Sequence, residues 1–468
     1  MTAVLNDQHG NPMTGSVDAV GVYDYAVDRL LRFHPDLLGA ADTLATDHQT
    51  VPMAQAMVAY LSLMSTDSDD LAGGAGAAAN LRETADHPRE RCHAAAVDAW
   101  LAGDWAGAAA RLDEALVLWP TDLLALIMGH QLDFFVGDAG NLRDRVGRCL
   151  PELAADSPHI GFLRGMHAFG LEESGHYGPA EESGLAALTA NRDDVWAVHA
   201  VVHTFEMQGR VDDGLRFMLE READWGSGNL FTCHNWWHLA LYCLEAGDQA
   251  RALAIYDGHL HNGGSAGVPI EMLDASALLW RLALEDADTG GRFGPLADAW
   301  AAKTVNTPWY AFNDMHAVIA FVGAGRLGDA REVISRMRAH ANQIAGTNGW
   351  MAREIGIPAS EAIVAFAEGR YDDVIAHLEP IRRRFHHFGG SHAQRDGLQR
   401  TLLEAALRAN RHELARSLTA ERLSSRDSAT YNWLQRGRAL LAIGDGAGAE
   451  NATRQADEHR QSFAAALA

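Results

Sequence analysis

Cysteine is scarce in this chain, with four residues in 468. They stand at positions 92, 149, 233 and 243, and no two are spaced as Cys-x-x-Cys. That spacing argues against a disulfide frame or a zinc ribbon and fits a reducing cytoplasm, with Cys233 and Cys243 expected to be unpaired. Positive charge is also in short supply. Against 62 Asp and Glu there are 38 Lys and Arg, a net charge of −24 and a pI near 5.3. Most of such a surface repels a nucleic-acid backbone or an anionic membrane, so neither is the expected partner. No run is long and apolar enough to span a bilayer. Met1 to Gly15 is polar, carries Asp7 and lacks the apolar stretch of a signal peptide, so a cytoplasmic location is expected. No Gly-x-Gly-x-x-Gly follows a strand pattern, so a Rossmann-type flavin site is not supported.

What is present is apolar substance. With 48% apolar and 21% charged residues the chain can bury a large interior and is not a disordered protein. Its length fits two to four ordinary domains or one repeat array that grows by stacking, and the period decides between them. A helix-stopping glycine recurs at Gly103, Gly137, Gly175, Gly209, Gly247, Gly325, Gly369 and Gly444, in steps of 34, 38, 34, 38, 78, 44 and 75, the long steps being two repeats each. Glycine suits such a place, because a helix ending in a left-handed residue turns tightly into an antiparallel partner. The prediction is an all-α fold, a tetratricopeptide-like α-solenoid of antiparallel helix hairpins forming a right-handed superhelix. Residues 1–17 are expected to be disordered or extended, 18–100 to form an irregular helical cap, and 101–468 to form the repeats. Asp67 to Gly76 reads as a loop, and Gly258 to Gly267 and Asp288 to Gly294 as longer connections. The repeat ending at Gly137 fits least well, because its register puts Asp133 at a core position.

Histidines recur in step with this repeat. His199 and His203 form one His-x-x-x-His pair and His234 and His238 another, and 238 − 203 = 35 residues is one repeat. With Gly209 and Gly247 as position 15 of a repeat unit, the core positions 4, 7, 8 and 11 are Val198, Val201, Val202 and Phe205, then Trp236, Leu239, Ala240 and Cys243. At about 100° per residue the four histidines fall on the opposite, concave face. His316 and Glu206 land on that face as well. Two imidazoles four residues apart present two nitrogens to one point, an arrangement suited to a first-row transition metal with a nearby carboxylate assisting. The sequence therefore offers His199, His203, His234 and His238 as candidate metal ligands, and Glu206 and His316 as candidate catalytic groups. The plainer alternative is that these are hydrogen-bonded groove residues with no ligand.

Trp196 and Trp237 reach the same face, as walls for an organic substrate or as packing between repeats. Asn313, His392 and Asp396 complete the candidate substrate-binding set. Cys233 and His234 are adjacent on a helix and point about 100° apart, which argues against a nucleophilic dyad. Ser391 is a candidate N-cap, and the amides of the turn it opens, with Arg382, Arg383 and Arg384 nearby, offer either an anion site or a solvated basic helix end.

Four strings resemble the StaR-like family: Gly165 to Glu173, Trp196 to Arg210, His234 to Tyr242, and Gly389 to Asp396. Its members include proteins of glycopeptide-antibiotic gene clusters and the animal tetratricopeptide-repeat protein numbered thirty-eight. The resemblance runs from about Ala94 to the C-terminus. It implies a helical repeat fold and an oxidative, flavin-linked role in tailoring small molecules. The residues themselves give no flavin motif, so the cofactor they point to is a divalent transition metal.

Three readings follow. The first is a small-molecule-binding protein, an enzyme of secondary or small-molecule metabolism with a His-rich metal site in the groove and a homodimer as one candidate assembly. The second is a non-catalytic scaffold holding a peptide or protein partner, as ordinary tetratricopeptide arrays do. The third is a metal-free hydrolase or isomerase with His203 and Glu206 as acid and base.

Overall fold

In the computed structural model, which describes residues 3–304 and 308–467, all eight predicted helix-stopping glycines have a left-handed backbone, with φ from +72° at Gly137 to +86° at Gly444. The two double steps resolve as well. Asp286 (φ 56°) and Asn410 (φ 57°) stand where the intervening glycines are missing. Asp and Asn tolerate this region better than other side chains.

The chain opens with an antiparallel hairpin, β1 (Ala3–Asn6) and β2 (Pro12–Gly15), so the described part of segment 1–17 is extended; residues 1 and 2 lie outside the described residues. Five helices form the cap: α1 (Val17–Leu31), α2 (Asp36–Asp47), α3 (Pro52–Met64), α4 (Leu71–Thr84) and α5 (Pro88–Leu101). The array continues through α6 (Trp105–Leu118), α7 (Leu123–Val136), α8 (Ala139–Cys149), α9 (Ile160–Glu173), α10 (Tyr177–Ala190), α11 (Val195–Met207), α12 (Val211–Glu220) and the short α13 (Glu222–Trp225). Next come α14 (Thr232–Glu245), α15 (Gln249–Ile255), α16 (Pro269–Leu284), α17 (Phe293–Thr304), α18 (Ala311–Gly323) and α19 (Leu327–Ala341). The last are α20 (Thr347–Met351), α21 (Ile357–Ala367), α22 (Tyr371–Leu378), α23 (His392–Arg408), α24 (His412–Ser425), α25 (Thr430–Ala442) and α26 (Gly446–Leu467). The fold is an all-α, tetratricopeptide-like solenoid. No helix among the described residues is long and apolar enough to cross a membrane.

One expectation is corrected and one misfit is explained. Asp67 to Gly76 is not a loop: a turn of 3-10 helix at Ser68–Asp70 leads into α4. Of the glycines there, Gly74 serves packing, since a Cβ on it would lie 3.2 Å from the Ser62 Cβ of α3. Asp133 does occupy a core position, and Arg145 accounts for it. The buried guanidinium donates to both carboxylate oxygens, at 2.7 and 3.0 Å.

A second pairing holds the hairpin and cap to the array. Arg89, fully buried, donates to Asp122 at 2.6 Å and meets Asp7 at 3.0 Å, while His93 Nε2 lies 2.9 Å from Asp122. Such groups are stable in the interior only because each charge has a partner.

The superhelix closes on itself. Repeats far apart in sequence touch where the Asn348 N–H donates to the Gly103 carbonyl at 2.9 Å and the Ser428 hydroxyl to the Gly209 carbonyl at 2.5 Å. Inside the ring runs α23, which packs against α11, α16, α21 and α24 and is buried from Ala393 to Leu407 except at the half-buried Arg395 and Gln399. The concave face expected to be an open groove is filled by the chain's own helix. Consequently α11 is buried all round, from Val195 to Phe205.

Two outcomes test this closure. At Gly137 a Cβ would meet the His386 carbonyl oxygen at 1.9 Å, with φ already positive. Gly137→Ala should therefore cost about 3 kcal/mol in urea unfolding, compared with about 0.5 for an ordinary exposed change. His130, buried in α7 with Nε2–H donating to the Met166 carbonyl at 3.2 Å, is pushed down to about 3 by burial. Its unfolded counterpart takes up a proton near pH 6.5, so this contribution to stability is complete above pH 6.5 and is lost as pH falls toward 3. Between pH 6.5 and 5.5 the wild type should lose about 1 kcal/mol more than His130→Gln; parallel stability curves for the two proteins would contradict it.

Candidate metal centre

The Asp194 carboxylate accepts from the Trp196 and Ala197 N–H groups at 3.1 and 3.0 Å, which fixes the start of α11 and thereby the face it turns to α14. The four-residue spacing stacks His199 with His203 and His234 with His238. The two pairs then meet. Ring centroids are 4.4 Å apart for His199 and His203, 4.4 Å for His203 and His238, 4.9 Å for His199 and His234, and 4.9 Å for His234 and His238. One ring nitrogen from each residue lies within 4.8 Å of the others. The Nε2 atoms of His199 and His234 are 3.2 Å apart. A tetrahedral ion with metal–nitrogen bonds of about 2.0–2.1 Å sets its ligand nitrogens about 3.3 Å apart.

Behind the rings stand carboxylates. His234 Nδ1 lies 2.8 Å from Asp274 Oδ2 in α16, His238 Nδ1 lies 3.1 Å from Glu206 Oε2, and His203 Nδ1 lies 3.5 Å from Glu172 Oε2 at the end of α9. A carboxylate behind Nδ1 holds the proton there and leaves the Nε2 lone pair for the centre of the cluster. Among the described residues, His199 Nδ1, both nitrogens of His203 and His238 Nε2 have no hydrogen-bond partner. Buried polar atoms without partners are uncommon and ask for an explanation.

The cluster is dry. The histidines are no more than 5% exposed, and aromatic rings enclose them: Phe169 at 5.0 Å from His199, Phe231 at 5.1 Å from His199, and Trp237 stacked on His234 at 5.3 Å. Trp196 lies 5.1 Å from His199 and is itself covered by Phe33 of the cap. Burial, reinforced by the neighbouring imidazoles, holds His199, His203 and His238 well below the ordinary histidine range. They are neutral at pH 7, the state that binds metal. Burial pushes Glu206 up to about 7 and raises Asp274 despite His234 beside it.

Beyond Glu206 lies a charged layer centred on Asp396 of α23. Its carboxylate is held by Arg400 at 2.8 Å, Arg422 at 2.8 Å and Arg426 at 2.6 Å. Asp396, Arg426 and Glu173 also line a cavity of about 1010 Å³, together with Tyr177, Met207 and His392. That volume is at the upper end for sites of organic ligands.

The sequence-predicted residues fall into three groups. His199, His203, His234, His238, Glu206, Trp196 and Trp237 come together, although Glu206 meets His238 rather than His203, and the tryptophans wall the imidazoles instead of facing a ligand space. His392 and Asp396 line the large cavity. His316 and Asn313 lie apart from both. His316 Nδ1–H donates to the Phe312 carbonyl one turn back on α18, at 2.8 Å, and the ring lines a small recess with Arg281 and Gln394. Asn313 donates to the Thr66 carbonyl and hydroxyl, tying α18 to the cap. The turn opened by Ser391 is also explained: Ser391 and Gln394 form a reciprocal cap, and the anion at the His392 N–H is the chain's own Glu173, at 2.7 Å. Arg382 and Arg383 pair with Glu421 at the surface. The four cysteines are free.

Asp274, Glu172 and Arg281 were missed. Asp274 left a signal, a lone acid within the apolar run Met272 to Leu284. Arg281, buried and donating to the Ala277 and Ala393 carbonyls, joins α16 to α23 and left none, since its partner lies 112 residues away.

No family model matches the chain. Solved structures similar to it over most of its length include Cut9 in the APC/C hetero-tetramer Cut9–Hcn1, at 11% identity over 96% of this chain and 90% of that one, with a TM-score of 0.38. A human IFIT1 dimer with PPP-AAAA is 12% identical over 97% and 95% of the two chains, TM-score 0.41. Yeast Tom70 is 12% identical over 96% and 95%, TM-score 0.36. Similarity this loose carries no residue or partner across.

Proposed function

We propose that this protein is a metal-binding helical-repeat protein of small-molecule metabolism; the StaR-like resemblance implies the helical repeat and the small-molecule role, and the metal rests on the residues alone. In this reading His199, His203, His234 and His238 hold a divalent transition metal, and the cavity beside Glu173 and Asp396 takes an organic ligand. The observation that carries it is the set of four buried imidazoles, one ring nitrogen of each within 4.8 Å of the others, with nitrogens of His199, His203 and His238 that have no hydrogen-bond partner among the described residues. Imidazole suits zinc, copper, iron and nickel. Asp274 and Glu206 are the outer carboxylates that orient such ligands. The groove-bound peptide of an ordinary array is not favoured at this place, because α23 fills it. Acid–base chemistry by His203 and Glu206 is not favoured either, because Glu206 faces His238.

Metal analysis of protein purified without a histidine tag should find one equivalent or more. His203→Ala and His238→Ala should each lose the ion at the four imidazoles, with a melting temperature that no longer falls on chelation. Protein without metal, equally stable before and after chelator, would refute the assignment. Asp274→Asn keeps the shape but weakens the support of His234 Nδ1, 2.8 Å away. Its metal affinity should fall about 10–100-fold in a competition titration, whereas unchanged affinity would remove Asp274 from the site.

A further inference from the structure

A second group of potential ligands adjoins the four imidazoles. Glu172 and Glu173 end α9, His392 begins α23, and one ligating atom from each lies within 4.8 Å of the others. Glu172 is the unusual member. It is 0% exposed, and among the described residues neither carboxylate oxygen has a hydrogen-bond partner. A carboxylate buried in this way is costly unless something satisfies it, about 1–3 kcal/mol for a neutral polar group and more for a charge. Its nearest ionisable neighbour is His203, whose Nδ1 lies 3.5 Å from Oε2 and is itself unpartnered. Burial and the adjacent Glu173 push Glu172 well above the carboxylate range, while His392 and Arg395 hold Glu173 low against the upward push of burial.

Glu173 and His392 have capacity left. Glu173 Oε1 accepts from the His392 N–H at 2.7 Å and Oε2 from Arg395 at 2.9 Å, one bond to each oxygen, where a carboxylate oxygen accepts two. His392 Nε2 lies 3.6 Å from Glu173 Oε2, and its bond to the Glu173 carbonyl, at 3.1 Å, is the one that an ion would displace. Both residues line the large cavity, whereas the four imidazoles do not.

We propose that Glu172, Glu173 and His392 form a second divalent-cation site, next to the four-imidazole centre and open to the cavity, where the ion would bind an anionic oxygen of the ligand. Two carboxylates and one imidazole suit zinc, iron(II) or manganese. Three protein ligands with a free position mark metal sites that act on a bound molecule, while four protein ligands close a structural one. The site is assigned on its own residues and does not require the four imidazoles to be filled.

The test is cobalt(II) binding to chelator-stripped, untagged protein, read as retained equivalents after desalting together with the visible spectrum. Wild type should retain two. Glu172→Gln and His392→Ala should each retain one, with the spectrum of the imidazole-bound ion unchanged in His392→Ala, and His238→Ala should lose that spectrum and keep the other ion. Glu172→Gln keeps the size and shape of the side chain and His392 is 39% exposed at its side chain, so both variants should keep the wild-type melting temperature in the absence of metal. Inorganic phosphate should shift the cobalt bands of wild type but not those of Glu172→Gln. A single equivalent in wild type that both variants keep would overturn the second site and leave the four-imidazole reading standing. No retained cobalt at all would overturn both. Two equivalents undiminished in either variant would place the second ion elsewhere, and a spectrum unmoved by phosphate would overturn the open position.

Discussion

The helix α23 carries Asp396, Arg400 and Glu404 to positions no more than 6% exposed, and most of the centre of the molecule is arranged to supply their partners. Arg422 and Arg426 come from α24 and its end to meet Asp396, Glu245 and Glu285 from α14 and the end of α16 meet Arg400, and Arg438 from α25 meets Glu404. Losing one partner of such a network leaves a charge stranded in the interior, a cost of about 3–5 kcal/mol. The charges therefore do what apolar packing alone does not: they fix the rotation and height of α23 inside the ring. Arg281 completes the restraint by reaching from α16 to the Ala393 carbonyl at the start of the helix.

That placement decides the state of the imidazoles. An ordinary concave face would leave His199, His203, His234 and His238 in water, titrating near 6.5 and hydrogen-bonded to solvent. With α23 behind them, aromatic rings beside them and Phe33 of the cap above Trp196, all four are buried, and His199, His203 and His238 are neutral and short of partners. The carboxylates that remain close, Asp274, Glu206 and Glu172, are those that reach Nδ1. Dryness strengthens every interaction at the centre, and it also sets the penalty for leaving a nitrogen unsatisfied.

Much of the local plan was legible in the sequence. The glycine period could be read because a left-handed residue is needed at each hairpin turn, and the two apparent gaps were the places where Asp286 and Asn410 meet the same need. The histidine register could be read because 3.6 residues per turn and a 35-residue repeat together fix a face and a neighbour. What lay out of reach was set by closure of the superhelix. His392 meets Glu173 across 219 residues, and Ser428 meets Gly209 across another 219. No periodicity encodes such contacts, so a filled centre read as an open groove, and Asn313 and His316 were placed with a site from which they stand apart. The glycines at 73, 74 and 76 misled for a different reason: they look like a loop but lie in α4, where Gly74 serves the close approach of α3.

The layers from the imidazoles outward also assign different work to different residues. The innermost layer, the four histidines, is enclosed by Phe169, Phe231, Trp196 and Trp237, so a small molecule has no direct way to an ion there. The next layer, Glu172, Glu206 and Asp274, touches the imidazoles on one side. Only the third, Glu173, His392 and Asp396, faces the cavity. A ligand in that cavity would thus meet the carboxylates and arginines first, and an ion held by the imidazoles as proposed only through them. His203 joins the first two layers, one nitrogen toward the imidazoles and the other 3.5 Å from Glu172. A change of charge at either end is transmitted to the other across a single ring, in surroundings where little solvent screens it.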